Sequence, residues 1–166
     1  MTLTVGDRIP GASLLRKNEG GFETVNLANL AVGRKVVLFA VPGAFTGTCT
    51  SSHVPSFMRT FDQLIDQGVD EIVCISVNDP FVMEAWGGTT GATSAGITML
   101  ADPSAEYTRA AGFAFSVPEA GLHDRAIRHA LFAVDGVVKV LHVEKDSGVC
   151  ETTAGEAMLE SIRALE

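Results

Sequence analysis

Val41-Pro42-Gly43-Ala44-Phe45-Thr46-Gly47-Thr48-Cys49 is the stretch that decides how this chain is read. It follows an apolar run, Lys35 to Ala40, and leads into an amphipathic one, Val54 to Ile65. From Val36 to Val41 the first run is continuously apolar and rich in valine, which fits a strand buried on both faces. In the second, Val54, Phe57, Met58, Phe61, Leu64 and Ile65 recur at three- and four-residue steps, one face of a helix. A cysteine therefore sits where a strand has ended and a helix begins. Helix starts leave backbone N–H groups unpaired and carry partial positive charge. That setting favours a thiolate over a thiol and marks Cys49 as a nucleophile. Pro55 removes a helical hydrogen bond. The spacing predicts a turn around Cys49–Ser52 followed by a kink, with a helix starting near Pro55 as the alternative. Gly68 closes the helix.

Working outward, Glu19-Gly20-Gly21 signals a turn between short strands near Ala12–Arg16 and Phe22–Asn26. Asn26 to Gly33 reads as a loop or one helical turn. Glu71 to Val77 is a second buried-strand candidate, and Asn78-Asp79-Pro80 starts a helix with an acidic cap and a proline at its first position. That helix is expected to continue from Phe81 to Trp86, with Gly87 to Gly96 a loop holding at most a short helix. Ile97 to Leu100 is a third strand, and Asp102-Pro103-Ser104 opens a helix that Gly112 stops. Phe113 to Asp124 gives no assignable pattern. Asp135-Gly136 between Arg128–Val134 and Val137–Val143 is a hairpin signal. Glu144 to Cys150 is a polar connection, and Thr152 to Leu165 a last helix. Early crossovers and a late hairpin predict an α/β chain with a mixed central sheet, helices on its faces and an N-terminal β-hairpin extension, as in the thioredoxin fold.

The 166 residues read as a single domain, 1–166, with room for a core; 46% are hydrophobic and 19% charged. A net charge of -8 argues against nucleic acid or an anionic membrane as partner. No apolar run approaches the roughly 20 residues of a membrane span. Met1 to Pro10 lacks a basic segment followed by an apolar one, so no secretory signal is expected. The 3 cysteines are widely spaced, with no C-x-x-C and no zinc-like Cys/His pairing. A cytoplasmic chain with reactive thiols is the expectation.

Pro42, Thr46 and Cys49 form P-x-x-x-T-x-x-C, and with Gly43, Ala44, Phe45, His53 and Pro55 the segment resembles the peroxiredoxins, in particular their five-type branch, called type II in plants. Val5-Gly6-Asp7, Ile9-Pro10, Ser76 to Met83, Ala85-Trp86, Asp102-Pro103, Gly121-Leu122, Arg125, Arg128 and Asp135-Gly136 extend the likeness over nearly the whole chain. The resemblance implies a thiol-dependent peroxidase acting on hydrogen peroxide and alkyl hydroperoxides through a cysteine sulfenic acid. It implies no metal or organic cofactor, a homodimer formed through the active-site face, and thioredoxin, glutaredoxin or glutathione as reductant. Phe45, Phe81 and Phe113 to Phe115 are candidates for that contact or for the core.

Breaking a peroxide bond needs a thiolate, donors that align the peroxide, and positive charge for the leaving oxygen. Cys49 is the expected nucleophile. By position alone Thr46 reads first as a helix cap and Arg128 as a strand-end charge; the resemblance makes both of them peroxide-aligning groups and makes Pro42 a shield over the sulfur. Gly43, Thr48, His53 and Arg125 are expected as secondary contacts, with a structural role weighing for His53. Cys150, in a polar loop, Cys74, in an apolar strand, or neither is the thiol that resolves the sulfenic acid; with neither, the chain is a one-cysteine enzyme reduced by glutathione with glutaredoxin, or by thioredoxin. A peroxide sensor or a thiol–disulfide exchange protein without peroxidase turnover is the competing function. Two departures from the branch stand out. Gly47 replaces a proline and is expected to loosen the loop. His129 replaces an aromatic residue and is expected to alter the pocket wall or add pH sensitivity near neutrality.

Overall fold

A computed structural model describes residues Met1–Glu166. In chain order the strands are β1 (Ser13–Asn18), β2 (Gly21–Asn26), β3 (Lys35–Val41), β4 (Glu71–Ser76), β5 (Thr98–Ala101), β6 (Ala114–Val117), β7 (Leu122–Ala126), β8 (His129–Val134) and β9 (Val137–Val143). The helices are α1 (Leu27–Ala31), α2 (Val54–Asp66), α3 (Pro80–Thr90), α4 (Ala92–Ala95), α5 (Glu106–Ala110) and α6 (Gly155–Ala164). A 7-stranded sheet runs in the order β2-β1-β5-β4-β3-β8-β9. Its centre, β3, β4 and β5, is parallel, while β8 pairs antiparallel with β3 and β1 antiparallel with β5. The N-terminal hairpin is thus one edge of the main sheet.

The apolar run of β3 feeds both faces, as its composition requires. Val37, Phe39 and Val41 enter the core shared with α2, α3 and α6, and Val36, Leu38 and Ala40 enter the opposite core, where Leu27, Tyr107 and Phe113 lie. Phe39 stacks on Phe57 of α2 at 4.2 Å between ring centroids, which fixes the helix over the central strand. Gly155, at the start of α6, is where that helix meets α2. A Cβ there would lie 2.5 Å from the Ser56 carbonyl oxygen, so only glycine permits the approach.

Several expectations are corrected. The helix after Asp79 does not stop at Trp86; α3 runs through Gly87 and Gly88 to Thr90, and α4 follows directly. Helix propensity argues against this, but Gly87 faces Thr93 and Met99 too closely for a side chain, and packing outweighs propensity. Phe113 to Asp124 contains β6 and the start of β7, which form a separate 2-stranded sheet. Its strands are mostly exposed, so they carry no alternation of apolar and polar residues. The last helix begins at Gly155, because Thr152 and Thr153 bind elsewhere. Phe81 lies on the surface, 60% exposed and edge-on to Phe22, whereas Trp86 is fully buried.

Candidate active site

Between β3 and α2 the chain turns sharply and then winds. Phe45 stands at φ +64, a region bulky residues rarely adopt, and the Ala44 amide donates to Asn78 Oδ1 at 3.0 Å. The first helical backbone bond is Thr50 N–H to the Thr46 carbonyl at 3.1 Å, so Cys49 lies in the opening turn. From Cys49 to His53 the helix widens to a π turn, closed by Val54 N–H on the Cys49 carbonyl, before α2 begins. Pro55, in the first turn of α2, explains the widening: it brings no N–H and its ring crowds the carbonyl four residues back. The kink expected near Pro55 is this π turn.

Cys49 is 1% exposed and packs in the core with Val54 and Phe57. The Nη2 of Arg128, the residue just before β8, donates to its Sγ at 3.2 Å. Arg128 is itself 1% exposed. Its Nη1 donates to His53 Nδ1 at 2.9 Å, and its Nε and Nη2 donate to the Ser147 carbonyl at 3.3 and 3.0 Å. It takes part in none of the chain's ion pairs, all of which involve other residues. A buried guanidinium without a carboxylate is costly. The group in contact with it that can carry a balancing negative charge is the Cys49 sulfur.

His53 is fully buried and uses both ring nitrogens, with Nε2 3.0 Å from the Thr153 carbonyl. Nδ1 must be the acceptor, because a guanidinium only donates; Nε2 therefore carries the proton. Burial and then the charge of Arg128 hold the imidazole well below its ordinary value, so it is neutral. His53 thus bridges Arg128 Nη1 and the Thr153 carbonyl.

Of the remaining expected residues, Pro42, Thr46 and Thr48 line an open cavity of about 570 Å³ together with Arg128, walled by Phe115, Val117 and Leu122, while Gly43 and Arg125 lie outside its lining. Thr46 Oγ1 donates to the Gly43 carbonyl at 2.6 Å, which leaves its lone pairs free to accept a proton. Arg125 Nη1 donates to the Pro42 carbonyl at 3.1 Å, and a Cβ on Gly43 would lie 2.6 Å from that nitrogen. Gly43 is thus the gap through which Arg125 reaches the loop. Thr48 Oγ1 donates to the Gly148 carbonyl at 2.7 Å, tying the loop to the segment that carries Cys150. A larger cavity, about 670 Å³, lies away from these groups, between the β1–β2 turn and α3.

Cys74 is fully buried in β4; burial, then the nearby Cys49, pushes its thiol well up. Cys150 is half-buried, and burial raises it as well. His129 does not line the cavity. It is fully buried against Phe113 and Tyr107, and burial lowers it to about 4, so it does not titrate near neutrality. Gly47 lies in the first helical turn with open space around it. Not legible in the sequence are Ser147 and Thr153, which meet Arg128 and His53 through backbone carbonyls that carry no side-chain signal, and the wall from β6 and β7.

A mixed sheet that sets a thiol at a helix start against a buried guanidinium defines a thioredoxin-like thiol redox enzyme. The chain matches the family described as Redoxin over residues 4–159. It is 45% identical to "Peroxiredoxin-2E-2, chloroplastic" of Oryza sativa subsp. japonica, over 97% of this chain and 73% of that protein. It is 40% identical to Peroxiredoxin-2D of Arabidopsis thaliana, over 96% and 98%. Among solved structures, reduced Prx3 from Vibrio vulnificus in complex with H2O2 is similar at a TM-score of 0.90 and 39% identity, covering 97% of this chain and 99% of that one. The chain belongs to the peroxiredoxins, in their plant type II branch, and its activity is that of a thiol-dependent peroxidase.

Proposed function

We propose that Cys49 is the peroxide-reducing nucleophile and that Arg128 and Thr46 align its substrate. The observation that carries this is the buried Arg128, without a carboxylate partner, 3.2 Å from the Cys49 sulfur. The thiolate attacks one peroxide oxygen; an S–O bond forms as the O–O bond breaks. Sulfur loses two electrons and becomes the sulfenic acid, and the other oxygen leaves as hydroxide or alkoxide, taking a proton from solvent. The guanidinium offers donors and charge to the oxygens as negative charge moves between them. Thr46 accepts from the peroxide while donating to Gly43. Pro42, buried on the cavity wall, limits water at the sulfur. The apolar wall of Phe115, Val117 and Leu122 suits the alkyl arm of an organic hydroperoxide as well as hydrogen peroxide itself.

Of the other thiols, we assign Cys150 as the resolving one, because it is half-buried on the segment that Thr48 already contacts, while Cys74 is enclosed. Its thiol condenses with the sulfenic acid, releasing water, and thioredoxin reduces the disulfide. Without it, glutathione with glutaredoxin reduces the sulfenic acid directly. The exposed Phe45, Phe81 and Phe22, 54%, 60% and 60% exposed, are the surface we assign to a homodimer. The three free thiols fit a reducing compartment, and we assign the cytoplasm. A peroxide-consumption assay with excess thioredoxin or glutaredoxin system tests the reading. Continued turnover over many equivalents is expected, with Cys150→Ser losing the thioredoxin-supported rate. Consumption that stops at a single equivalent with both reductants would make the protein a sensor instead.

A further inference from the structure

Glu144 follows β9 and is buried, 6% exposed, with no basic partner. Its carboxylate is instead enclosed by donors from residues further along the chain. Oε2 accepts from the amides of Glu151 and Thr153, both at 3.1 Å, and from Thr153 Oγ1 at 2.5 Å. Oε1 accepts from the Thr152 amide at 3.3 Å and Thr152 Oγ1 at 2.9 Å. Burial works to raise its protonation point, but the Thr153 and Thr152 hydroxyls and the Glu151 and Thr153 amides outweigh that and hold it low. Glu144 is therefore a carboxylate that closes the strap from 144 to 153 on itself.

The strap matters because it supplies the acceptors of Arg128. Ser147, in its middle, gives the carbonyl bound by Nε and Nη2. Thr153, at its end, gives the carbonyl that holds His53, which in turn holds Nη1. The backbone amide of Glu144 also donates to the carbonyl of Arg128 at 3.0 Å. Apart from the bond to sulfur, every polar contact of the guanidinium thus leads back to the segment that Glu144 closes.

We propose that Glu144 is a positioning residue for Arg128, acting on the guanidinium through the strap and through Thr153 and His53. The proposal rests on the roles given above to Cys49 and Arg128. It makes an unusual sign prediction. A simple charge effect of Glu144→Gln, loss of a nearby negative charge, would favour the Cys49 thiolate and move its pH profile down. Loss of positioning takes positive charge away from the sulfur and moves the profile up.

The test is the rate of Cys49 alkylation by iodoacetamide from about pH 5 to about pH 9, which does not depend on peroxidase activity, alongside the rate with hydrogen peroxide. For Glu144→Gln the alkylation profile is expected to move to higher pH and the peroxide rate to fall roughly 10- to 100-fold. Glu160→Gln, which removes an exposed negative charge from α6 outside this network, is expected to stay within about twofold of the parent in both. In an Arg128→Met background, Glu144→Gln is expected to change the alkylation profile no further. Thr153→Val, which loses the hydroxyl to Oε2 and its contact with the Cys150 sulfur at 3.7 Å, gives a milder shift of the same sign on Cys49 and serves if Glu144→Gln does not fold. A profile that stays put or moves to lower pH, or an effect that persists undiminished without Arg128, would overturn the proposal. Rapid peroxide reaction by the parent with an unshifted variant would overturn it while leaving the roles of Cys49 and Arg128 intact.

Discussion

Arg128→Met is expected to lower the second-order rate with hydrogen peroxide by about 10²–10³-fold, the usual cost of removing a preorganised donor aimed at developing charge. Arg128 meets three partners with one rigid plane: Cys49 Sγ, His53 Nδ1 and the Ser147 carbonyl. Methionine fills much of the same space but supplies neither charge nor donors. The sulfur is then left in an apolar core that disfavours an anion. Arg128→Lys restores the charge but not the fork, since a single ammonium cannot reproduce the fixed spacing of two guanidinium nitrogens. About a tenfold recovery over methionine is expected from charge alone. Stopped-flow mixing of each reduced protein with peroxide measures both. An Arg128→Met rate close to that of the parent would remove the guanidinium from the chemistry.

The second large effect concerns acid stability. His129 accepts from Tyr107 Oη at Nε2 and donates from Nδ1 to the Ile127 carbonyl, at 2.8 and 2.7 Å, and burial lowers it to about 4. In the unfolded chain it returns to about 6.5. Between those values the unfolded state binds a proton that the folded state refuses, so stability falls as pH falls through this window. The loss from His129 alone is about 3 kcal/mol once pH reaches the lower value. His53, also held neutral by burial and by Arg128, adds a loss of the same sign. Glu144 is depressed as a carboxylate: its contribution is present above the ordinary carboxylate value and is lost as pH falls through its lower folded value. Denaturant unfolding at about pH 7 and about pH 4.5 is expected to show a difference some 2–3 kcal/mol smaller for His129→Phe than for the parent. Tyr107 loses its partner in that variant, so a lower stability at both pH values is expected as well. An equal acid loss in both proteins would contradict the assignment.

Much of this protein is legible where burial writes a pattern. β3 and β4 bury both faces, and their apolar runs gave their bounds almost residue for residue. Asp79, Gly68 and Asp135-Gly136 act through local backbone chemistry, and each punctuates the chain as its type predicts. Illegible were β6 and β7, which bury little, and the continuation of α3 across Gly87-Gly88, which depends on how closely Thr93 and Met99 approach. The site divides in the same way. Cys49 could be found from its place between strand and helix. Arg128 needed the family likeness, because nothing local tells a strand-end arginine that it will be buried beside a thiol. His129 was misread for a related reason. His129 opens β8 and Arg128 immediately precedes it, so the side chain beside the arginine in sequence faces the opposite core in space. Glu144, Ser147 and Thr153 act through contacts between distant segments or through backbone carbonyls, which residue identity does not encode.

The central claim is that one sulfur, Cys49, does the peroxide chemistry. Mixing the reduced protein, and its Cys49→Ser variant, with one equivalent of hydrogen peroxide and following the peroxide as it disappears tests this most directly. The account predicts rapid loss with the parent and no loss above buffer with Cys49→Ser, while Cys74 and Cys150 remain in place; comparable consumption by that variant would contradict it.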